Sequence, residues 1–393
     1  MGLRTALDVE AGGWLAFVAI ASTMKKLLRA KFLLNCRNRE LAVLGLLLLA
    51  LCCTRRSDQQ AQTRNPTPIT PTPAASVDLA RAESRQAGLR ERTQSGVRLA
   101  IVGDEGVGSR ARAVLDLVRS ESADALVVVG DFDYENKPHE WRTMLEGLGP
   151  EFPWFAVVGN HDVHAWPDYE RLIAEKLRRI KGAHCHGKPG RQASCLFRGA
   201  QLVLSEIGTM GDRDDNEAFI RRELSESQAQ WKLCLWHKNQ HDMQTGAKTD
   251  EVGWGAYRAC QDAGAIIVNG HEHSYARSRT LTALGDRAQG YGAVGDLNAL
   301  TVGPGKTFVT VSGLGGIQTR PFVMSHESDT WWAAYLTADR ESVNGQVRQV
   351  NNANVVGAFF LDLGIDGDSS QGRGRFVATD ARLFDDFKIK FVQ

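Results

Sequence analysis

The strongest constraint on the fold is an alternation of short apolar runs with helical stretches, in which the runs end in glycine or tryptophan followed at once by Asp, Asn or His. Val97–Val102, Ala125–Val129 and Phe155–Val158 are apolar enough for strands, and Ser109–Ser120 and His139–Leu148 between them read as helical. This βαβαβ order requires parallel strands joined by helical crossovers. Further strands are expected at Cys195–Phe197, Leu202–Ser205, Trp231–Trp236 and Ala265–Val268, with helices near Glu217–Leu224 and Trp254–Asp262. The remainder, with Arg277–Leu281, Thr307–Val311, Ala358–Leu363 and Arg375–Ala378, reads as mostly β. The expected class is α/β: two packed mixed β-sheets flanked by helices, in four αββα layers. No internal repeat is visible.

Residues 1–56 read as a leader. Lys25, Lys26, Arg29, Lys31, Arg37 and Arg39 precede an apolar run from Leu41 to Cys53, the order of a secretory signal. The run is shorter than the roughly 20 residues a spanning helix needs. Met24 is an alternative start. Leu49-Ala50-Leu51-Cys52 resembles a bacterial lipoprotein cleavage box with a poor Leu51, so Cys52 is either lipidated, giving membrane attachment, or simply ends the segment. Either way export is expected: extracellular, periplasmic or anchored facing outward. Residues 57–92, rich in Pro, Thr and Gln, read as an extended linker, and 93–393 as a single catalytic domain. Lys plus Arg (47) nearly cancel Asp plus Glu (46), which speaks against a protein that coats nucleic acid. Four cysteines follow the linker. Cys185 and Cys195 flank a polar loop whose ends can meet as a hairpin and form the favoured disulfide, while Cys234 and Cys260 are read either as a second disulfide or as buried thiols.

Hard-oxygen and imidazole donors follow five strand ends in order: Asp104, then Asp131 with Tyr134, then Asn160 with His161, then His237, then His271 with His273. Ligands of open α/β sheets gather at the carboxyl ends of the strands. Any one of these pieces is weak, but five in order suit two cations about 3.5–4 Å apart that share a carboxylate.

Gly103-Asp104-Glu105-Gly106, Gly130-Asp131-Phe132-Asp133-Tyr134, Gly159-Asn160-His161-Asp162, His237 and Gly270-His271-Glu272-His273 resemble the five ordered blocks of the calcineurin-like metallophosphoesterases. Tyr134, with Tyr275 and Arg277 after the last block, is similar to the purple acid phosphatase type. The likeness spans Val97 to Arg277; Ser312-Gly313-Leu314-Gly315-Gly316 adds a vague fit. The resemblance implies a phosphomonoesterase in which metal one is held by Asp104, Asp131, Tyr134 and His273, and metal two by Asp131, Asn160, His237 and His271. It implies Fe(III) at the first site and Zn, Mn or Fe(II) at the second, water acidified for in-line attack on phosphorus, and His161 stabilising the transition state or protonating the leaving group. Two departures stand out: the block after His237 lacks a proline, and Glu105-Gly106 replaces the Asp-x-His of the wider superfamily, with Tyr134 in place of the lost histidine.

The implied partner is a small phosphate ester, with contacts from Asn160 and His161; Lys238, His241 and Arg277 either bind the substrate phosphate or are solvated charges on the rim. His139, His164, His184 and His186 read as surface or loop residues. Asp133 and Asp162 either orient the ligands or are solvated loop acids. Rival functions are a phosphodiesterase or nuclease on the same fold and a metal-stabilised binding module without turnover.

Overall fold

A computed structural model describes residues 92–393; the leader, Cys52 and nearly all of the linker lie outside the described residues. The elements run β1 (Arg92–Val102), α1 (Ser109–Ser120), β2 (Ala125–Val129), α2 (Pro138–Glu146), β3 (Trp154–Val157), α3 (Trp166–Leu177), β4 (Ala183–Lys188), β5 (Gln192–Phe197) and β6 (Ala200–Ser205). They continue as α4 (Arg213–Glu226), β7 (Trp231–Leu235), α5 (Gly255–Asp262), β8 (Ile266–Asn269), β9 (Tyr275–Ser278), β10 (Ala299–Val302) and β11 (Val309–Ser312). The last strands are β12 (Trp332–Leu336), β13 (Arg340–Val343), β14 (Gln346–Gln349), β15 (Gly357–Ile365), β16 (Asp368–Ala378) and β17 (Leu383–Phe391).

One sheet has the order β10-β17-β16-β15-β1-β2-β3 and the other β14-β13-β12-β9-β11-β8-β7-β6-β5-β4. Both are mixed: β1, β2 and β3 are parallel, as are β6, β7, β8 and β11 and the β10–β17 pair, while the remaining pairings are antiparallel. The period-two alternation of the strands explains the four layers. On β1, Leu99 and Ile101 enter the core between the sheets, whereas Ala100 and Val102 face the helical side with α1 residues Val114 and Val118. On β8, Ile266 and Val268 join the inter-sheet core and Ile267 packs with Ala256 and Cys260 of α5. The central strands of each sheet therefore bury both faces, as their continuous apolar runs require. Among the described residues no helix is long and apolar enough to cross a membrane.

Both cysteine pairs are disulfides. Cys185 and Cys195 are direct cross-strand partners in the β4–β5 hairpin. Cys234–Cys260 ties β7 to α5, so the strand that leads to His237 is bonded to the helix that feeds β8.

Candidate metal centre

Backbone hydrogen bonds tie together the loops just beyond the carboxyl ends of β1, β2, β7 and β8, the first of them joining one sheet to the other. The Gly103 N–H donates to the Ser312 carbonyl (2.8 Å), Asp104 N–H to Gly130 (3.0 Å) and Gly270 N–H to His237 (3.1 Å). The His271 N–H donates to Asp104 Oδ2 at 2.8 Å, which links the two sheets through a carboxylate. Close packing explains two of the glycines: a Cβ on Gly130 would lie 2.6 Å from His237 Nδ1, and one on Gly159 would overlap the Asp131 backbone and carboxylate.

Two donor clusters result. In the first, the Tyr134 hydroxyl donates to Asp104 Oδ1 at 2.9 Å and lies 3.2 Å from His273 Nε2, which is 3.4 Å from the same Asp104 oxygen. In the second, ligand atoms of Asp131, His237 and His271 all lie within 4.8 Å of one another, with His237 Nε2 3.2 Å from Asp131 Oδ2. The backbone sets the tautomers. His237 Nδ1–H donates to the Val129 carbonyl (2.8 Å) and His273 Nδ1–H to Gln318 (3.2 Å), leaving each Nε2 directed at its cluster.

The electrostatics point the same way. Burial opposes ionisation of Asp104, yet His273 and His237 hold it below the usual carboxylate range. Asp131 is likewise held down, against burial, by His237 and His161. Burial also opposes charge on His237, but Asp131 overrides it and holds the imidazole up at about 9. His271 is pushed down to about 4 by burial, against Glu251. Burial and the charges of Asp104 and Asp131 keep the Tyr134 phenol protonated.

A cation fits this donor set. Two atoms bound at right angles to one ion at about 2.1 Å are about 3.0 Å apart; the three edges of the first cluster run from 2.9 to 3.4 Å, and the Asp131–His237 edge of the second is 3.2 Å. Asn160 Oδ1 is buried without a hydrogen-bond partner, an orphan that a cation would satisfy.

Four donor residues have left-handed backbones: Asp104 (φ 59°), Asp131 (57°), Tyr134 (63°) and His271 (68°). Such conformations cost a non-glycine residue roughly 1–3 kcal/mol and persist where surrounding structure imposes them. Asp162 supplies much of that structure. Buried, it accepts the N–H groups of Asp131 (2.9 Å), Phe132 (2.8 Å) and Gly159 (2.7 Å), locking the loop after β2 to the loop after β3. Asp133 is buried too, accepting from the Glu135 and Lys137 amides and the Tyr169 hydroxyl. Neither is a solvated loop acid.

His161 stands over the cluster with its side chain 48% exposed, its N–H donating to Asp131 Oδ1 at 2.9 Å and its ring 4.4 Å from that of Tyr134. Lys238 is paired with Glu251, and His241 Nδ1–H donates to the Lys248 carbonyl. Arg277 corrects the sequence expectation of a substrate contact. It is fully buried, with Nε and Nη2 donating to Asp385 (2.7 and 2.9 Å), Nη1 to the Leu297 carbonyl (2.8 Å), and its guanidinium over the Phe387 ring at 4.0 Å.

Sequence reasoning missed Glu251, whose Oε2 lies 2.9 Å from His271 Nε2 and whose pKa falls to about 2, against burial, through His271 and Lys238. It also missed Lys248 and Arg320 beside the His271–His273 segment. All three sit on irregular loops, where no periodicity flags them.

Residues 97–275 match the family model described as calcineurin-like phosphoesterase. Over 202 residues the sequence is 22% identical to purple acid phosphatase 22 of Arabidopsis thaliana, covering 47% of this chain and 46% of that protein. The chain thus spans under half the length of this relative. A purple acid phosphatase from seeds of yellow lupin (Lupinus luteus) superposes with a TM-score of 0.54 at 14% identity, over 76% of this chain and 54% of that one. At that identity the likeness speaks for the fold alone. The ordered blocks converge on one rim and all of them fall inside the family match, so residues 97–275 form a calcineurin-like phosphoesterase domain.

Proposed function

We propose that this protein is an exported, dinuclear metal-dependent phosphatase acting on small phosphate monoesters. The observation that carries the reading is the pair of adjacent donor clusters with the buried, unpartnered Asn160 Oδ1 beside them. Asp104, Asp131, Tyr134 and His273 would hold one ion, and Asp131, Asn160, His237 and His271 the other, with Asp131 shared. A phenol that burial and two carboxylates keep protonated needs a strongly charged cation to ionise, which favours Fe(III) at the Tyr134 site and Zn, Mn or Fe(II) at the other. When bound, the ions supply Lewis acidity for water and for the phosphoryl oxygens.

The chain's own groups do the rest. Asp162 and the Val129 and Gln318 carbonyls fix the donors in place before substrate arrives, which removes reorganisation from the reaction. His161, exposed and anchored through its backbone to Asp131, is placed to hold a proton at Nε2 for the leaving oxygen. The two disulfides agree with an oxidising compartment, and attachment through Cys52 remains part of the export reading.

Elemental analysis with a visible absorption spectrum tests the proposal. Two metals per chain including iron, and a broad visible band lost in Tyr134→Phe, are expected, with p-nitrophenyl phosphate cleaved faster than its bis ester. A chain that takes up no metal would overturn the mechanism, and faster diester cleavage would move the activity to the phosphodiesterase reading.

A further inference from the structure

Three histidines serve the donor clusters, and the backbone orients two of them: His237 and His273 give their Nδ1–H to carbonyls and turn Nε2 toward the other donors. His271 is arranged the other way round. Its Nε2 lies 2.9 Å from Glu251 Oε2, and no hydrogen bond engages its Nδ1 among the described residues. An ionised carboxylate accepts but cannot donate, so the nitrogen beside it carries the proton. Nδ1 is then the ring nitrogen with a lone pair to offer, and His271 contributes a ligand atom within 4.8 Å of those of Asp131 and His237.

Glu251 is itself fixed. Its N–H donates to the Asn239 carbonyl at 3.2 Å, and Asn239 Nδ2–H donates at 3.0 Å to the carbonyl of Gly270, the residue before His271. The preceding residue closes the turn, with Asp250 Oδ1 accepting from the Val252 and Gly253 amides (3.2 and 2.6 Å). Lys238 pairs with Oε1, which leaves Oε2 for the histidine. Both oxygens are thus engaged, which sets Glu251 behind His271 rather than among the donors. We infer that Glu251 is a positioning residue for the second ion: it holds His271 in the Nε2–H tautomer, frees Nδ1 for the ion shared with Asp131, and makes retention of that ion depend on a loop side chain where the other two histidines depend on backbone carbonyls. The inference rests on the metal-centre reading and adds to it a residue outside the expected ligand set.

The test uses the full-length protein, isotopically labelled at the histidine nitrogens, with the His271 signals identified by their loss in His271→Gln. In the metal-free wild type, long-range proton–nitrogen spectra should show Nε2 protonated and Nδ1 bare. In Lys238→Met/Glu251→Met, which removes the carboxylate together with its counter-charge, both tautomers should appear. Zinc is then titrated against a competing chelator. One of its two equivalents should weaken by about 10–100-fold in the double variant while the other holds, and Glu251→Gln, whose amide oxygen still accepts, should recover most of the loss. A wild-type His271 protonated at Nδ1, or a double variant that keeps one tautomer and both zinc affinities, would overturn the role of Glu251 and leave the metal centre intact. A wild type that binds no zinc would bring down the metal-centre reading, and the positioning role with it.

Discussion

Arg277 separates a structural role from a functional one in a single experiment. Arg277→Met keeps the length and apolar stem of the side chain but removes the charge that faces Asp385. The carboxylate is then buried with the Tyr275 hydroxyl (2.7 Å) as its remaining side-chain donor, and the Leu297 carbonyl loses its partner. Breaking a buried pair by deleting one member costs about 3–5 kcal/mol, because the survivor is left uncompensated. For a domain of about 300 residues the unfolding entropy is roughly 0.6 kcal/mol/K, so the midpoint should drop by roughly 5–8 °C. Thermal unfolding followed by circular dichroism reads this directly, and p-nitrophenyl phosphate kinetics on the folded variant supply the other half. Stability should fall while KM stays near the wild-type value. In Arg277→Met/Asp385→Leu much of the loss should return, since both charges have gone. A variant that melts with the wild type but shows a KM raised tenfold would refute the reasoning and restore Arg277 as a substrate contact.

Glu105 should make stability depend on pH. Burial pushes its carboxyl up from 4.5 to about 8, against the Trp141 indole N–H that donates to it at 2.9 Å. A raised folded pKa means that its contribution is fully present below about 4.5 and is lost as pH rises toward 8. In metal-free protein Glu105→Gln should therefore gain on the wild type across that interval by up to roughly 1.4 kcal/mol per pH unit. Parallel melting profiles for the two proteins would show the carboxyl is not so placed. The Cys234–Cys260 bridge closes a separation of 26 residues, for which chain entropy gives about 3.5 kcal/mol. Cys234→Ala/Cys260→Ala should lower the unfolding free energy by about that amount in urea titrations, and Cys185→Ala/Cys195→Ala, with a separation of 10, by about 2.7 kcal/mol. Stability unchanged in either double variant would show that its bridge constrains nothing.

How much the sequence revealed depended on how local each signal was. The bounds of α1 and β2 match the sequence reading residue for residue, because a periodic face or an unbroken apolar run bounded by turn residues is complete within one segment. The donor positions were legible for the same reason: each stands within a few residues of its strand end. Helix α3 was overlooked although Trp166, Tyr169, Leu172 and Ile173 form its buried face, since Pro167 reads as a breaker until it is seen in the first turn, where proline is tolerated. The C-terminal strands were only partly found. β13 and β14 are short and polar, and β14 is exposed along its length, so their pairing leaves no hydrophobic pattern. Arg277 was misjudged because its partner Asp385 stands 108 residues away on β17, and no local pattern distinguishes a buried arginine from one on a rim. Glu251 escaped for the same reason, twenty residues ahead of the histidine it touches.

The left-handed backbones at Asp104, Asp131, Tyr134 and His271 carry a consequence for protein engineering. Glycine, and to a lesser degree asparagine, relieves that conformation, and a compatible backbone change is worth about 1 kcal/mol. Heat resistance and metal retention therefore pull these positions in opposite directions. A library selected on thermostability alone would tend to exchange the donors for glycine and yield robust, inert proteins, so any selection for hardiness must screen for bound metal in the same round.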